Sequence, residues 1–206
     1  MRRRPGNPLK SIFVISSNWD EVILPAQLCT CLSRGLSLTF LTAVLFGSGP
    51  NLTVASVEVW YGPDDRPLEQ LVQRYDRAKR YIFVAVYGLT SPLSVKALVG
   101  AKKRGVDVRV LTDRNRLNDP KQKTSLSALR EAGIPIKINR HDALMHLKQV
   151  VIDDEVNTNG SMNQTTSGNR YNDERLDVIR DHAITVKARE KFLSLWKDQE
   201  RFQDWK

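Results

Sequence analysis

The feature that most constrains this chain is the run YIFVAVYG at residues 81–88, whose side chains are almost all apolar, aromatic or β-branched. A strand with one face in water alternates apolar and polar residues, and this run shows no such alternation. It is typical of a strand that is buried on both faces. The rest of the chain must therefore supply layers that cover both sides of the sheet.

Strand-like and helix-like stretches alternate around this run. From residue 57 to residue 139 they follow the order β-α-β-α-β-α-β. The predicted strands are 57–62, 81–88, 106–113 and 135–139, and the predicted helices are 67–80, about 90–105 and about 123–132. This order predicts an α/β fold in which helices sandwich a mixed β-sheet, within one domain that spans residues 56–206.

The second half of the chain adds three strands and a helix. The strands are predicted at HLKQVVID (146–153), EVNTNG (155–160) and RLDVIR (175–180). A final amphipathic helix is predicted at about 185–199, with Ala188, Phe192, Leu195 and Trp196 as its buried stripe.

Residues 1–55 differ in character from the rest. An apolar run at 36–46 follows Arg34, and the small residues Thr53-Val54-Ala55 come after it. This layout predicts a secretory signal peptide that is cleaved near 55/56, and hence a periplasmic or secreted protein. Two alternatives stay open, an uncleaved membrane anchor and a buried helix of the fold. Residues 1–33 lie upstream of where such a signal peptide would begin, so they would be a disordered extension or the result of a start codon assigned too early.

The chain is basic, with 32 lysines and arginines against 23 acidic residues and a formal charge of +9. The part from Ser56 onward keeps 27 basic and 21 acidic side chains, a net charge of +6. This charge makes an anionic partner plausible, either nucleic acid or an acidic membrane surface. The only cysteines are Cys29 and Cys31, so the region from Ser56 onward requires neither a disulfide nor thiolate chemistry.

The stretch MHLKQVVIDDEVNTNGSMN carries the chemistry. On a regular strand, His146 and Lys148 leave the same face of the sheet, although an isolated pair of this kind would be no more than a polar surface. The continuation follows the pattern H-x-K-x4-D-x6-G-S-x-N, which specifies His146, Lys148, Asp153, Gly160, Ser161 and Asn163. Ammonium, hydroxyl and amide donors around one imidazole suit an anionic phosphorus centre.

This pattern resembles the defining motif of the phospholipase D superfamily, and the chain is most similar to its single-motif bacterial periplasmic nucleases. The resemblance implies a phospholipase D-like fold and makes His146 the nucleophile that forms a phosphohistidine. It implies that Lys148 and Asn163 bind the phosphoryl oxygens with support from Ser161, and that Glu174 holds the histidine ring. Asp153 belongs to the motif, and we expect its part to be mainly orienting and structural.

The mechanism requires a second histidine as general acid, and the chain shows only one copy of the motif. His141 and His182 lack the following lysine and are weak candidates. The resemblance therefore implies a homodimer in which each subunit contributes its own His146. It implies no cofactor and no metal.

Three functions are compatible with this sequence. The first is a nuclease that cuts DNA or RNA with little sequence preference. The second is a phospholipid phosphodiesterase at a membrane surface, and the third is a non-catalytic nucleic-acid-binding domain. For the first, candidate phosphate-tracking residues are Lys102, Lys103, Arg104, Arg114, Arg116 and Arg140.

Overall fold

The computed structural model describes residues 13–14 and 55–206. The strands are β1 (Phe13–Val14), β2 (Ser56–Gly62), β3 (Tyr81–Val86), β4 (Asp107–Thr112), β5 (Ile136–Asn139), β6 (Lys148–Ile152), β7 (Val156–Gly160), β8 (Glu174–Arg180) and β9 (Phe202–Asp204). The helices are α1 (Pro67–Arg77), α2 (Pro92–Lys103), α3 (Pro120–Glu131), α4 (Thr166–Arg170) and α5 (His182–Lys197), with a 3₁₀ helix at Arg114–Asn118.

The strands form one mixed sheet in the order β1-β2-β8-β7-β6-β3-β4-β5-β9. Strands β3, β4 and β5 run parallel to one another, as expected for strands that are connected through helices. The remaining pairs are antiparallel, including β6 beside β3 and β7 beside β8. The sequence-based expectation of an α/β fold with a mixed sheet is therefore confirmed.

Helical layers cover both faces of the sheet. Helices α1, α2 and α3 pack on one face over a large apolar core that includes Ile82 and Val84 of β3. Helix α5 covers the other face, where Phe192 stacks on Phe83 with ring centroids 4.8 Å apart. All six residues of β3 are buried, as the apolar run predicted.

The observed boundaries differ from the predicted ones where caps decide them. Helix α3 begins at Pro120 because the Asp119 side chain accepts a hydrogen bond from the Lys121 N–H. Asp181 caps α5 in the same way, so that this helix begins at His182. The short elements α4 and β9 were not predicted, because five and three residues are too few for a periodic pattern.

The predicted signal peptide, with its apolar run at 36–46 and cleavage near 55/56, lies outside the described residues. Within residues 55–206, no helix is both long enough and apolar enough to cross a membrane.

Candidate active site

His146 and Lys148 lie where the chain enters the centre of the sheet. Strand β6 begins at Lys148, so His146 precedes the strand rather than lying on it as predicted. The segment is anchored on either side of the exposed His146. The buried Met145 donates its N–H to Asp113 Oδ2 at 2.6 Å, and the Leu147 carbonyl accepts a hydrogen bond from the Tyr87 N–H at 3.0 Å. The backbone of His146 is thus fixed while its ring remains accessible.

The Lys148 amine contacts the imidazole directly. Its Nζ lies 2.9 Å from His146 Nε2 and donates to the His146 carbonyl oxygen, also at 2.9 Å. A hydrogen bond from an ammonium requires Nε2 to be unprotonated, which leaves the ring proton on Nδ1. Partial burial lowers the pKa of Lys148, and the nearby negative charge of Glu174 opposes that shift. The site therefore holds an imidazole and an amine in direct contact.

Tyr87 packs against both of these groups. Its ring centroid lies 5.0 Å from that of His146 and 5.3 Å from Lys148 Nζ, a distance typical of a cation–π contact. From the sequence, Tyr87 was predicted only as part of the apolar run of the central strand, and its contacts with His146 and Lys148 were not predicted. The only signal was its position at the end of a buried strand, immediately before Gly88.

Ser161 and Glu174 form a pair on the neighbouring strands. Gly160 has φ of 144°, and a Cβ there would lie 2.0 Å from the Arg175 carbonyl oxygen, so glycine is required for this approach to β8. The Ser161 hydroxyl donates to Glu174 Oε2, and the Arg175 N–H donates to Ser161 Oγ at 3.1 Å. In the described structure Glu174 makes no hydrogen bond with His146. The carboxylate pairs with the serine in this structure, and the role of Glu174 in holding the histidine ring stays a prediction.

Asn163 lies beyond this turn and faces the end of β3. Its Oδ1 accepts a hydrogen bond from the Gly88 N–H at 2.9 Å, which fixes the amide plane. The Gly88 carbonyl oxygen in turn accepts from the Gln164 N–H at 2.9 Å. With its oxygen occupied, the Asn163 side chain presents its NH₂ group as a donor, which suits binding of a phosphoryl oxygen.

The Asp153 carboxylate lies at the opposite end of β6 and has a structural role. It is buried, and it accepts the backbone N–H groups of Lys79, Arg80 and Tyr81 at 2.7–2.8 Å. These bonds fix the entry into β3. The motif aspartate thus supports the central strand that ends beside the site, in the orienting and structural part that we expected of it.

The two other histidines lie away from this site. The His141 ring packs edge-on against Phe202, at 5.8 Å between centroids. His182 is the first residue of α5, and its Nδ1 lies 3.3 Å from the Asp154 carbonyl oxygen. Within residues 55–206 neither ring is hydrogen-bonded to or stacked on His146. In the part of the chain that the structure describes, no group of three or more His, Cys, Asp or Glu side chains is placed to hold a metal ion.

An imidazole with ammonium, hydroxyl and amide groups on the rim of a mixed sheet is a set suited to phosphoryl transfer. Residues 71–196 match the family model described as "Cardiolipin synthase, PLD-like domain". A protein of Rickettsia typhi named "Phospholipase D" is 31% identical over 156 residues, which cover 75% of this chain and 73% of the relative.

Two further relatives carry other names. A "Mitochondrial cardiolipin hydrolase" of Xenopus laevis is 31% identical over 135 residues, 65% of this chain and 63% of the relative. The crystal structure of Nuc, a phospholipase D family member from Salmonella typhimurium, superposes with a TM-score of 0.67 at 28% identity. The superposition covers 74% of this chain and 99% of Nuc. The chain belongs to the phospholipase D superfamily, and it is a phosphodiesterase of that superfamily.

Proposed function

We propose that the chain is a metal-independent nuclease that hydrolyses DNA or RNA phosphodiester bonds through a phosphohistidine intermediate. The observation that carries this proposal is the contact between Lys148 Nζ and Nε2 of His146 at 2.9 Å. That contact places a cation beside an exposed imidazole nitrogen, where a phosphate would enter.

The reaction has two steps. In the first, Nε2 attacks phosphorus, a P–Nε2 bond forms, and the bond from phosphorus to the leaving oxygen breaks. For this attack Lys148 turns from Nε2 to a non-bridging oxygen, which Asn163 also binds, and Ser161 reaches that oxygen only when its hydroxyl leaves Glu174. In the second step water attacks phosphorus and gives a proton to the group that protonated the leaving oxygen, the P–Nε2 bond breaks, and the imidazole is restored.

The leaving oxygen requires a proton, and we propose that His146 of a second subunit supplies it. Each subunit's His146 is exposed and so is available to a two-fold-related partner. One imidazole would act as nucleophile and the other as general acid. A mixing experiment tests this arrangement. An excess of inactive H146A protein should lower the activity of the wild type beyond simple dilution, and activity that follows dilution alone argues against a shared site.

Nucleic acid is supported as substrate by the net charge of +6 from Ser56 onward and by the similarity to Nuc. The direct test is degradation of plasmid and single-stranded DNA and of RNA in the presence of a chelator. The wild type should remain active, and H146A should not. Isolation of a ³²P-labelled phosphohistidine after acid quench would support the intermediate, whereas loss of activity on chelation contradicts the mechanism.

A phospholipid phosphodiesterase is the second candidate, favoured by one observation. Leu144 and Leu147, on either side of His146, are 48% and 40% exposed and form a small apolar lip beside the site. The Rickettsia relatives named "Phospholipase D" also favour it. Release of phosphatidic acid from vesicles, with nucleic acid left intact in a parallel reaction, would replace the first proposal by this one.

We further propose that the protein is exported, on the basis of the N-terminal pattern. Sequencing of the mature N-terminus after expression should identify Ser56 or a neighbouring residue. A mature chain that retains the 36–46 run would indicate a membrane anchor.

A further inference from the structure

A cleft of about 720 Å³ opens directly beside the candidate active site, and Tyr87, Gly88 and Asn163 form its inner end. Its volume falls within the range of sites that bind nucleotide-sized ligands. Seven of the fourteen residues that line it carry hydroxyl groups, and two, Arg116 and Lys121, are cationic. No leucine, isoleucine, valine or phenylalanine lines this cleft of the described structure. Such a lining suits a polar, anionic ligand better than an acyl chain.

Arg116 is the side chain that connects this cleft to the catalytic groups. Its guanidinium carbon lies 5.7 Å from the centroid of Tyr87, the same ring that contacts His146 and Lys148. Its Nε is buried without a hydrogen-bond partner, whereas Nη2 donates to Asp119 Oδ2 at 2.7 Å. Within residues 55–206 Asp119 is the guanidinium's only hydrogen-bond acceptor. Most of its donor capacity is therefore left for a ligand.

Arg116 and Asn163 both lie near Gly88. A Cβ on Gly88 would lie 3.5 Å from Arg116 Nε and 3.5 Å from Asn163 Oδ1. The guanidinium and the proposed phosphate-binding amide therefore lie above one glycine that has no side chain to separate them. An anion bound by Arg116 would be a close neighbour of the phosphate bound by Asn163.

The position of the guanidinium is set before any ligand binds. Asp119 receives the Arg116 hydrogen bond with one carboxylate oxygen and caps α3 with the other, through the Lys121 N–H at 2.9 Å. Asp113 accepts the Met145 N–H and also caps the 3₁₀ helix that carries Arg116, through the Asn115 N–H at 2.8 Å. The same buried aspartate thus ties the Arg116 helix to the His146 segment, and this rigidity reduces the entropy lost on binding.

We propose that this cleft is a subsite for a second phosphate of the substrate, adjacent to the scissile one, and that Arg116 binds it. This inference rests on the proposed nuclease function and refines it. The enzyme would recognise a nucleotide unit that carries its own flanking phosphate, and it would discriminate against a diester that has none. Arg116 is the residue suited to this because its planar fork binds phosphate in a bidentate manner.

The test compares the dinucleotide dTpdT with the same dinucleotide bearing an extra phosphate at its 5′ end or at its 3′ end. For the wild type, we expect kcat/KM to be about 10- to 100-fold higher for one of the two phosphorylated forms, the effect of one charge-assisted interaction. Arg116→Gln should reduce that ratio to near one. Arg116→Lys should retain part of it, since lysine keeps the charge but not the fork.

Arg77→Gln is the matched control. Arg77 is an exposed arginine in the last turn of α1 that does not line the cleft, so its substitution removes the same charge elsewhere. The substrate ratio should not change in this variant, and thermal melting should show all three variants folded. Should Arg116→Gln fail to fold, the substrate ratio of Arg116→Lys is used instead. A ratio below that of the wild type supports the inference, and an unchanged ratio contradicts it.

Three results would overturn the inference while leaving nuclease activity intact. The first is a wild type without preference for a phosphorylated dinucleotide, and the second is an Arg116→Gln variant that keeps the preference. The third is an Arg116→Gln variant whose kcat/KM falls equally on all three dinucleotides. The last result would place Arg116 at the scissile phosphate itself. By contrast, a wild type that cleaves cardiolipin vesicles but no oligonucleotide of any length would refute the proposed function.

Discussion

Substitution of the buried Asp153 tests whether this motif residue contributes to stability or to catalysis. Its two oxygens accept three backbone N–H groups at 2.7–2.8 Å, and the side chain is only 5% exposed. Two of these donors belong to the exposed residues Lys79 and Arg80 and can turn to water when the carboxylate is removed. The third, on Tyr81, is buried and would be left unpaired.

Asp153→Ala should therefore lower the free energy of unfolding by about 2–4 kcal/mol. A hydrogen bond to a charged group contributes about 1.5–3 kcal/mol, and an unpaired buried donor costs about 1–3 kcal/mol. The corresponding fall in melting temperature is roughly 5–15 °C for a chain of this size. Denaturant unfolding followed by circular dichroism, beside kcat/KM per folded molecule, measures both quantities.

Asp153→Gly separates the backbone contribution from that of the side chain. Asp153 has φ of 56°, a conformation that glycine adopts more readily than alanine. The glycine variant should therefore be no less stable than the alanine variant, and the loss common to both measures the carboxylate. Glu155→Ala is the control, because this neighbouring acidic side chain is exposed and its removal should change stability by less than about 0.5 kcal/mol.

The reasoning would be refuted by a specific pair of results. If Asp153→Gly unfolded at the same denaturant concentration as the wild type while kcat/KM fell by about three orders of magnitude, as expected for a lost catalytic group, Asp153 would act in the reaction.

Three other outcomes are expected. His146→Ala should lower kcat at least about 1,000-fold without changing the melting temperature, since the side chain is exposed; a smaller loss would exclude it as the nucleophile. Burial lowers the pKa of Lys148 from its usual 10.5 and Glu174 raises it. Because the charged amine binds phosphate, activity should fall on the alkaline side below pH 10.5, and Glu174→Gln should move that limb to lower pH. A pH–rate profile with an unshifted limb contradicts this coupling. Gly160→Ala should destabilise the protein by about 4 kcal/mol or more, because its Cβ would lie 2.0 Å from the Arg175 carbonyl oxygen; chemical denaturation measures this loss, and near-wild-type stability would refute the clash.

Much of the fold was predictable because its elements have strong local patterns. The continuous apolar run at 81–88 predicted a fully buried strand, and all residues of β3 are buried. The spacing of Ala188, Phe192 and Leu195 predicted the buried face of α5, and all three pack beneath the sheet. Elements without a period, such as α4 and β9, could not be predicted in this way.

The role of each polar residue was less predictable than its presence in the motif. The positive φ of Asp153 ends the alternation of β6, so the direction of that side chain cannot be inferred from strand spacing. The partner of Glu174 proved to be Ser161, since β8 lies directly beside the end of β7. Neither outcome follows from residue types at a given spacing.

By itself, the sequence determined the α/β class, the buried central strand and the motif that assembles His146, Lys148, Ser161 and Asn163. These depend on periodicity and on residues close together along the chain, where local geometry limits the possibilities. The tertiary structure brings Tyr87 and Arg116 close to the motif, although about 30 to 60 residues separate them from His146 along the chain. Asp113 links the helix that carries Arg116 to the His146 segment. Such contacts depend on which strands become neighbours in the sheet. That choice is made by the packing of the whole core and leaves no local pattern in the chain.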